Sequence, residues 1–194
     1  MDFTRARDFI LDKLRTGLRP ELYYHSIDHI LDVYNSAMRL ARLENLESRE
    51  SDLLKTAAIL HDAGMMNTYK NHEEASIELA RLWLPDFDYT QEDIEKIAEM
   101  IKATKMPQGA TSLASQILCD ADLDYLGRDD FFMISHKLRL EWIRLNMTNR
   151  NLKEWYQLQL EFLLSHTYFS EAARESRQKG KEENIWQIQH LLFQ

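Results

Sequence analysis

Residues 53–64 read LLKTAAILHDAG and combine an apolar helical segment with a polar pair at its end. The apolar residues are spaced as in a buried helix, and Gly64 is typical of the residue that follows a helix. His61 and Asp62 stand in this apolar setting, where a buried polar pair is costly unless another group binds it. The stretch therefore predicts a core helix, capped by Ser48, whose end carries a buried site.

Two histidines lie upstream, in the segment YHSIDH at residues 24–29. The apolar pattern predicts a helix from about Ser26 to Arg42. His25 and His29 are four residues apart at its start, so they share one side of the helix. The residues alone leave open whether His25 faces a site or the solvent.

Three aspartates interrupt the apolar segment ILCDADLDYL at residues 117–126. Aspartate is a poor helix former, and neighbouring carboxylates repel one another. A bound divalent cation would offset both costs, while a solvated helix face or a helix cap is the alternative. Imidazole and carboxylate together suit Zn, Fe, Mn or Ni better than Ca. The pattern does not choose between Asp120, Asp122 and Asp124.

The rest of the chain is also helical in its pattern. Only five glycines and three prolines occur in 194 residues, which favours long helices over a sheet with many turns. The fold class is therefore predicted to be all-α, a bundle of about eight or nine helices. Besides the two helices above and the DADLD segment, helices are predicted near residues 2–16, 72–84, 90–104, from Asp129, 149–168 and after Ser170, with a kink or frayed turn at Gly180.

The composition excludes several classes of function. The chain has 24 basic and 32 acidic side chains, a net charge of −8, which disfavours binding to nucleic acid or to an anionic membrane. The single cysteine, Cys119, excludes an intrachain disulfide and fits a reducing, cytoplasmic location. No leader peptide is expected, because the N-terminal segment is charged throughout and has no apolar stretch. No membrane-spanning segment is expected either, because no apolar run approaches ~18 residues.

Taken in order, the motifs YHxxxH, AAxLHDxG and DADLDY resemble those of the HD-domain superfamily of metal-dependent phosphohydrolases. The pattern H…HD…D of that family is matched by His29, His61, Asp62 and an aspartate of the DADLD segment. Similarity to the Ala-Asp-Leu of cyclic-nucleotide phosphodiesterases and to a segment of dNTP triphosphohydrolases implies that Asp122 is the last metal ligand.

The same resemblance implies roles for three further residues. The first histidine of the phosphodiesterase motif corresponds to His25 and serves there as the acid near the leaving oxygen. His72 is similar to a phosphate-facing histidine of the triphosphohydrolases, or it is an ordinary residue of a helix start. Tyr125 would lie beside the substrate, although a core aromatic would look the same in sequence. Leu123 stands where those enzymes have a lysine, so the resemblance does not carry the substrate over.

The implied organisation is a single domain over residues 1–194, with a metal-binding core at about 20–130. Amphipathic helices within 131–194 are expected to close the bundle, with a homodimer face as the alternative. The implied activity is hydrolysis of a phosphomonoester or phosphodiester, with a nucleotide or another small phosphorylated compound as substrate. A non-catalytic metal- or nucleotide-binding signalling module is the alternative function.

The ligand set implies one tightly held divalent transition metal, which could be Mn, Fe, Ni, Zn or Co. A weaker second site, occupied for example by Mg, would use Asp62 as a bridge. HD relatives with two tightly held metals, including di-iron oxygenases, have extra histidines between the HD pair and the last aspartate. This chain has only His72 in that interval, which disfavours an oxygenase.

Overall fold

Nine α-helices and three short 3-10 helices form the secondary structure of residues 1–193, which the computed structural model describes. No strand occurs in that range, which confirms the all-α prediction. None of its helices is both long and apolar enough to cross a membrane. The α-helices are α1 (Phe3–Gly17), α2 (Ile27–Leu43), α3 (Ser48–Leu60), α4 (His72–Trp83), α5 (Gln91–Thr104), α6 (Leu113–Asp122), α7 (Phe131–Arg144), α8 (Leu152–Ser165) and α9 (Glu171–Phe193).

Most helix starts follow the sequence signals. Thr90 and Asp93 form the expected reciprocal capping box before α5, each side chain accepting a hydrogen bond from the other residue's backbone N–H. The predicted cap Ser48 is wrong by one residue, because Glu47 holds the extended cap conformation and Ser48 already belongs to α3. The helix starts are thus set locally, and the tertiary structure decides which faces they bury.

Two apolar clusters form the core. The larger is formed mainly by residues of helices α1 to α6. It includes Ile30, Leu40, Leu60 and Ile117, which are almost completely buried. The smaller joins the C-terminal helices to the segment after α6, with members including Phe131, Leu163 and Ile188 as well as Tyr24 and Tyr125. Since Tyr24 immediately precedes His25, which lies just before the start of α2, the smaller cluster reaches the predicted site.

Helix α9 continues through Gly180 without a kink or frayed turn, so that expectation is wrong. A Cβ atom on Gly180 would lie 2.2 Å from the backbone oxygen of Gly127, in the 3-10 helix Asp124–Gly127. The glycine therefore allows a close approach between the two backbones. What looked like a break in the helix is a packing contact.

Two of the three aspartates hold α9 in place. Asp120 accepts hydrogen bonds from the backbone N–H groups of Phe169 and Ser170 and from the Ser170 hydroxyl, at 2.7–2.8 Å. Asp124 is buried and pairs with Arg39 of α2 and Arg177 of α9. These carboxylates are explained by the fold without a metal.

Candidate metal centre and cleft

The end of α3 presents His61 and Asp62 inside the bundle. The His61 side chain is only 1% exposed, and its Nδ1 lies 2.9 Å from the backbone oxygen of Ala58. A carbonyl can only accept, so Nδ1 carries a proton, and Nε2 is the nitrogen that the neutral ring would offer to a metal. This arrangement of the second ring nitrogen is typical of histidines that bind metals.

His29 and Asp122 meet this pair from α2 and from the end of α6. The His29 Nε2 lies 3.4 Å from the Nε2 of His61, 3.4 Å from Asp62 Oδ2 and 3.2 Å from Asp122 Oδ1. The His61 Nε2 lies 3.2 Å from Asp62 Oδ2 and 3.6 Å from Asp122 Oδ1. The structure therefore brings together four side chains that sequence reasoning selected as a ligand set.

The donor set fits a divalent transition metal. Atoms bound to one ion at 2.0–2.2 Å are roughly 3–3.5 Å apart, and the distances between these nitrogens and carboxylate oxygens fall close to that range. Ligand atoms of His29, His61 and Asp122 all lie within 4.8 Å of one another. Two imidazoles and two carboxylates are also a donor combination that such metals accept.

The charges of the site are strongly coupled. Burial opposes the charged imidazoles, but the facing carboxylates outweigh it and raise the pKa of His29 and of His61. Burial likewise opposes the ionised carboxyls, but the imidazoles hold the pKa of Asp62 and of Asp122 below the ordinary value. The carboxylates are therefore ionised at neutral pH and favour a cation between the rings.

His72 occupies the first turn of α4, beside the other oxygen of Asp62. Its Nε2 lies 3.2 Å from Asp62 Oδ1, and its Nδ1 donates to the backbone oxygen of Tyr69 at 3.1 Å. A Cβ atom on Gly64 would lie 2.0 Å from the backbone oxygen of His72. Gly64 thus lets α4 start against the turn that carries the metal-ligand candidates.

His25 faces the interior rather than the solvent and is held by Glu141, which sequence reasoning missed. The His25 Nδ1 is 2.5 Å from Glu141 Oε1, and Glu141 Oε2 accepts from the backbone N–H groups of Tyr24 and His25 at 2.8 and 3.0 Å. Tyr69 donates its hydroxyl to Oε1 at 2.9 Å. The available signal was a lone glutamate on the apolar helix LRLEWIRL.

Glu141 is completely buried and is kept ionised by its donors. Burial alone would raise its pKa, but hydrogen bonds from the His25 ring and from two backbone N–H groups lower the pKa below the usual value. Trp142 Nε1 donates to the Tyr69 hydroxyl at 2.8 Å, which leaves the Tyr69 proton for Glu141. The His25 ring is therefore fixed by a fully satisfied network.

A cleft of about 500 Å³ opens beside these residues. Its lining includes His25, His72, Asp62, Asp122 and Tyr125. Burial raises the pKa of Tyr125, so its hydroxyl stays protonated. Residues of α7 and α8 also line the cleft, so the C-terminal helices help to form it as well as to bury the core. A smaller cleft of about 210 Å³ is lined by His29 and also by Asp122.

Comparison with known proteins places this site in a family. Residues 26–124 match the family model of the HD domain. A predicted HD superfamily hydrolase from an uncultured Thermotogales bacterium has a TM-score of 0.63 and 22% identity, over 95% of this chain and 90% of that one. A Lactobacillus plantarum protein has a TM-score of 0.68 and 19% identity, over 97% of this chain and 95% of that one.

Two other relatives extend the comparison. Bacillus subtilis YpgQ, solved in complex with ADP, has a TM-score of 0.65 and 18% identity, over 96% of this chain and 95% of that one. An uncharacterized protein of Clostridium beijerinckii is 37% identical over 83 residues, which are 40% of this chain and 50% of that protein. The chain thus spans about half the length of that curated relative. At identities under 25%, the solved structures support the fold alone.

Proposed function

The chain belongs to the HD domain family, and we propose that it is a metal-dependent phosphohydrolase acting on a small phosphoester. One observation carries this proposal: the Nε2 atoms of His29 and His61 face each other between the carboxylates of Asp62 and Asp122. His29 comes from α2, His61 and Asp62 from the end of α3, and Asp122 from the end of α6, so segments distant in sequence converge on one point.

These four residues would hold one divalent transition metal, with Mn, Fe, Ni, Zn and Co as candidates. A bound metal of this kind lowers the pKa of water and polarises a phosphoryl oxygen. Asp62 Oδ1 faces His72 and would bridge to a weaker second cation such as Mg, which the Glu73 carboxylate beside His72 could also contact.

His25 is the proposed proton donor to the leaving oxygen. It lies just before the start of α2, four residues before His29, and lines the cleft. Glu141 holds its Nδ1 and so directs Nε2 away from α7. A carboxylate behind an imidazole stabilises the charged ring and fixes its orientation, which is the arrangement expected of a positioned acid. His72 and Tyr125 line the same cleft and are proposed to contact the phosphoryl group.

A nucleotide is the proposed kind of substrate. The cleft is large enough for a small organic phosphate, and a protein of the same fold has been solved with ADP. The acidic chain favours a free small molecule over nucleic acid or a membrane surface. We also propose that the protein is cytoplasmic, where the Cys119 thiol stays reduced.

The first experiment measures metal content and hydrolysis together. Protein purified without chelator is analysed for bound metal, and then assayed with added Mn, Ni, Mg and Zn on 4-nitrophenyl phosphate, bis(4-nitrophenyl) phosphate and nucleotides. We expect near-stoichiometric metal and metal-dependent turnover, both lost in Asp62→Ala. Bound metal without turnover on any ester would contradict the enzyme and favour a signalling module. Iron with oxygen consumption would favour an oxygenase, and absence of metal binding would contradict the site itself.

A further inference from the structure

The cleft is lined by apolar side chains as well as by the proposed metal ligands. These apolar side chains are Leu138 and Trp142 of α7, Leu158 and Phe162 of α8, and Leu123. Leucine and aromatic walls bind a ligand by burying apolar surface and by stacking on a flat ring. The apolar walls are therefore suited to a planar organic group rather than to a hydrated one.

Positive charge is missing from the same walls. Among residues 1–193, the lining of this cleft includes no lysine or arginine, whereas it does include the acidic side chains Asp62, Glu73 and Asp122. Lys105, which belongs to the nearby loop, is instead paired with Glu74 and Asn71. Each phosphate beyond the one held by the proposed metal would lie against these walls without a lysine or arginine to pair with.

One polar group interrupts the apolar walls in a defined orientation. Trp155 Nε1 can only donate, and it donates to Ser135 Oγ at 2.9 Å. The Ser135 hydroxyl proton is therefore left for Gln159 Oε1, 3.0 Å away. This chain of bonds turns the amide oxygen of Gln159 toward Ser135 and leaves its NH₂ group to donate to a ligand in the cleft that it lines.

From these three features we propose that the substrate is an ester with a single phosphoryl group and a flat, uncharged ring that carries a hydrogen-bond acceptor. This inference rests on the proposed function and specifies its substrate class. Nucleoside monophosphates and aryl phosphates belong to the class, whereas nucleoside diphosphates, nucleoside triphosphates and phosphates of open or heavily hydroxylated chains do not.

The test compares kcat/KM for matched esters on the metal-loaded enzyme. Uridine 5′-mono-, di- and triphosphate vary only the number of phosphates, and ribose 5-phosphate removes only the ring. We expect a loss of about tenfold or more for each added phosphate, and a similar loss without the ring. Equal or better turnover of the di- or triphosphate, or of ribose 5-phosphate, would overturn the substrate class. Turnover of none of these or of aryl phosphates would instead count against the proposed function.

A designed change of preference makes the test independent of a simple loss of activity. Leu158→Lys places a cation on the α8 wall of the cleft and should raise the ratio of diphosphate to monophosphate turnover by about tenfold. Leu164→Lys, at a well exposed position of the same helix, is the matched control and should leave the ratio unchanged. Lys137 lines the smaller cleft. If Lys137→Ala changes the ratio and Leu158→Lys does not, the ester lies in the smaller cleft and the proposal is wrong.

Discussion

Replacing Glu141 by glutamine should separate proton donation from every other function of the site. The carboxylate accepts from four donors: two backbone N–H groups on Oε2, and the His25 ring and the Tyr69 hydroxyl on Oε1. The backbone donors cannot reverse, so the glutamine oxygen will face them. Its NH₂ group must then face His25 and Tyr69.

The expected size of the effect depends on which hydrogen bonds to residue 141 can exchange donor and acceptor. The neutral His25 ring can accept at Nδ1 by changing its tautomer, whereas the Tyr69 hydroxyl loses its acceptor while it still receives a bond from Trp142. One unsatisfied hydroxyl costs about 1–2 kcal/mol of unfolding free energy. The charged imidazole, however, loses both its acceptor and its counter-charge. We therefore expect Glu141→Gln to lose about 10²–10⁴-fold in activity where an acid is required.

The assay compares leaving groups of different quality. Phenyl phosphate needs protonation of its leaving oxygen far more than 4-nitrophenyl phosphate does, so Glu141→Gln should lose activity on the first and retain most of it on the second. His25→Gln should show the same pattern, and the double variant should be little worse than either single variant. Glu161→Gln, at an exposed position of α8, is the control. Equal losses on both esters would refute proton donation through His25.

Three further results are expected. Added metal at 100 times its Kd should stabilise the wild-type protein by about 2.7 kcal/mol and raise its Tm, measured by differential scanning fluorimetry. The Tm of Asp62→Ala should stay unchanged. An equal rise of Tm in both proteins would place the metal elsewhere. Asp122→Asn should abolish tight metal binding, measured by calorimetric titration, with little loss of stability. Asp120→Asn should keep activity but lose about 1–2 kcal/mol of unfolding free energy in urea, because the Asp120 carboxylate holds the start of α9. The reverse order would exchange the roles of the two aspartates. Gly180→Ala should lower the unfolding free energy by about 1–3 kcal/mol, since its Cβ would overlap the Gly127 backbone; an unchanged urea midpoint would contradict that contact.

The helices and the converging side chains were predictable because local rules govern them. Apolar spacing and capping residues fixed the helix positions to within a few residues, and buried polar residues in apolar helices indicated the site. His29, His61, Asp62 and Asp122 each stand within a short motif, so a pattern in the sequence could select them.

The missed features depend on contacts between distant segments. Glu141 lies 116 residues from His25, and nothing within LRLEWIRL shows which buried face the glutamate would occupy. Gly180 looked like a helix breaker because the Gly127 backbone that approaches it is remote in sequence. The separate functions of Asp120 and Asp124 likewise depend on α9, which the DADLD motif cannot show.

The family match ends at residue 124, before α7 begins. The four proposed metal ligands lie inside the matched range, whereas Glu141 and the apolar wall residues Trp142 and Leu158 lie outside it. The proposed metal ligands therefore belong to the matched domain, while Glu141 and most of the apolar wall come from later helices. Relatives that share the HD pattern but differ in α7 and α8 should consequently share metal binding and differ in the ligand that their cleft accepts, so the HD pattern alone does not specify the proposed substrate.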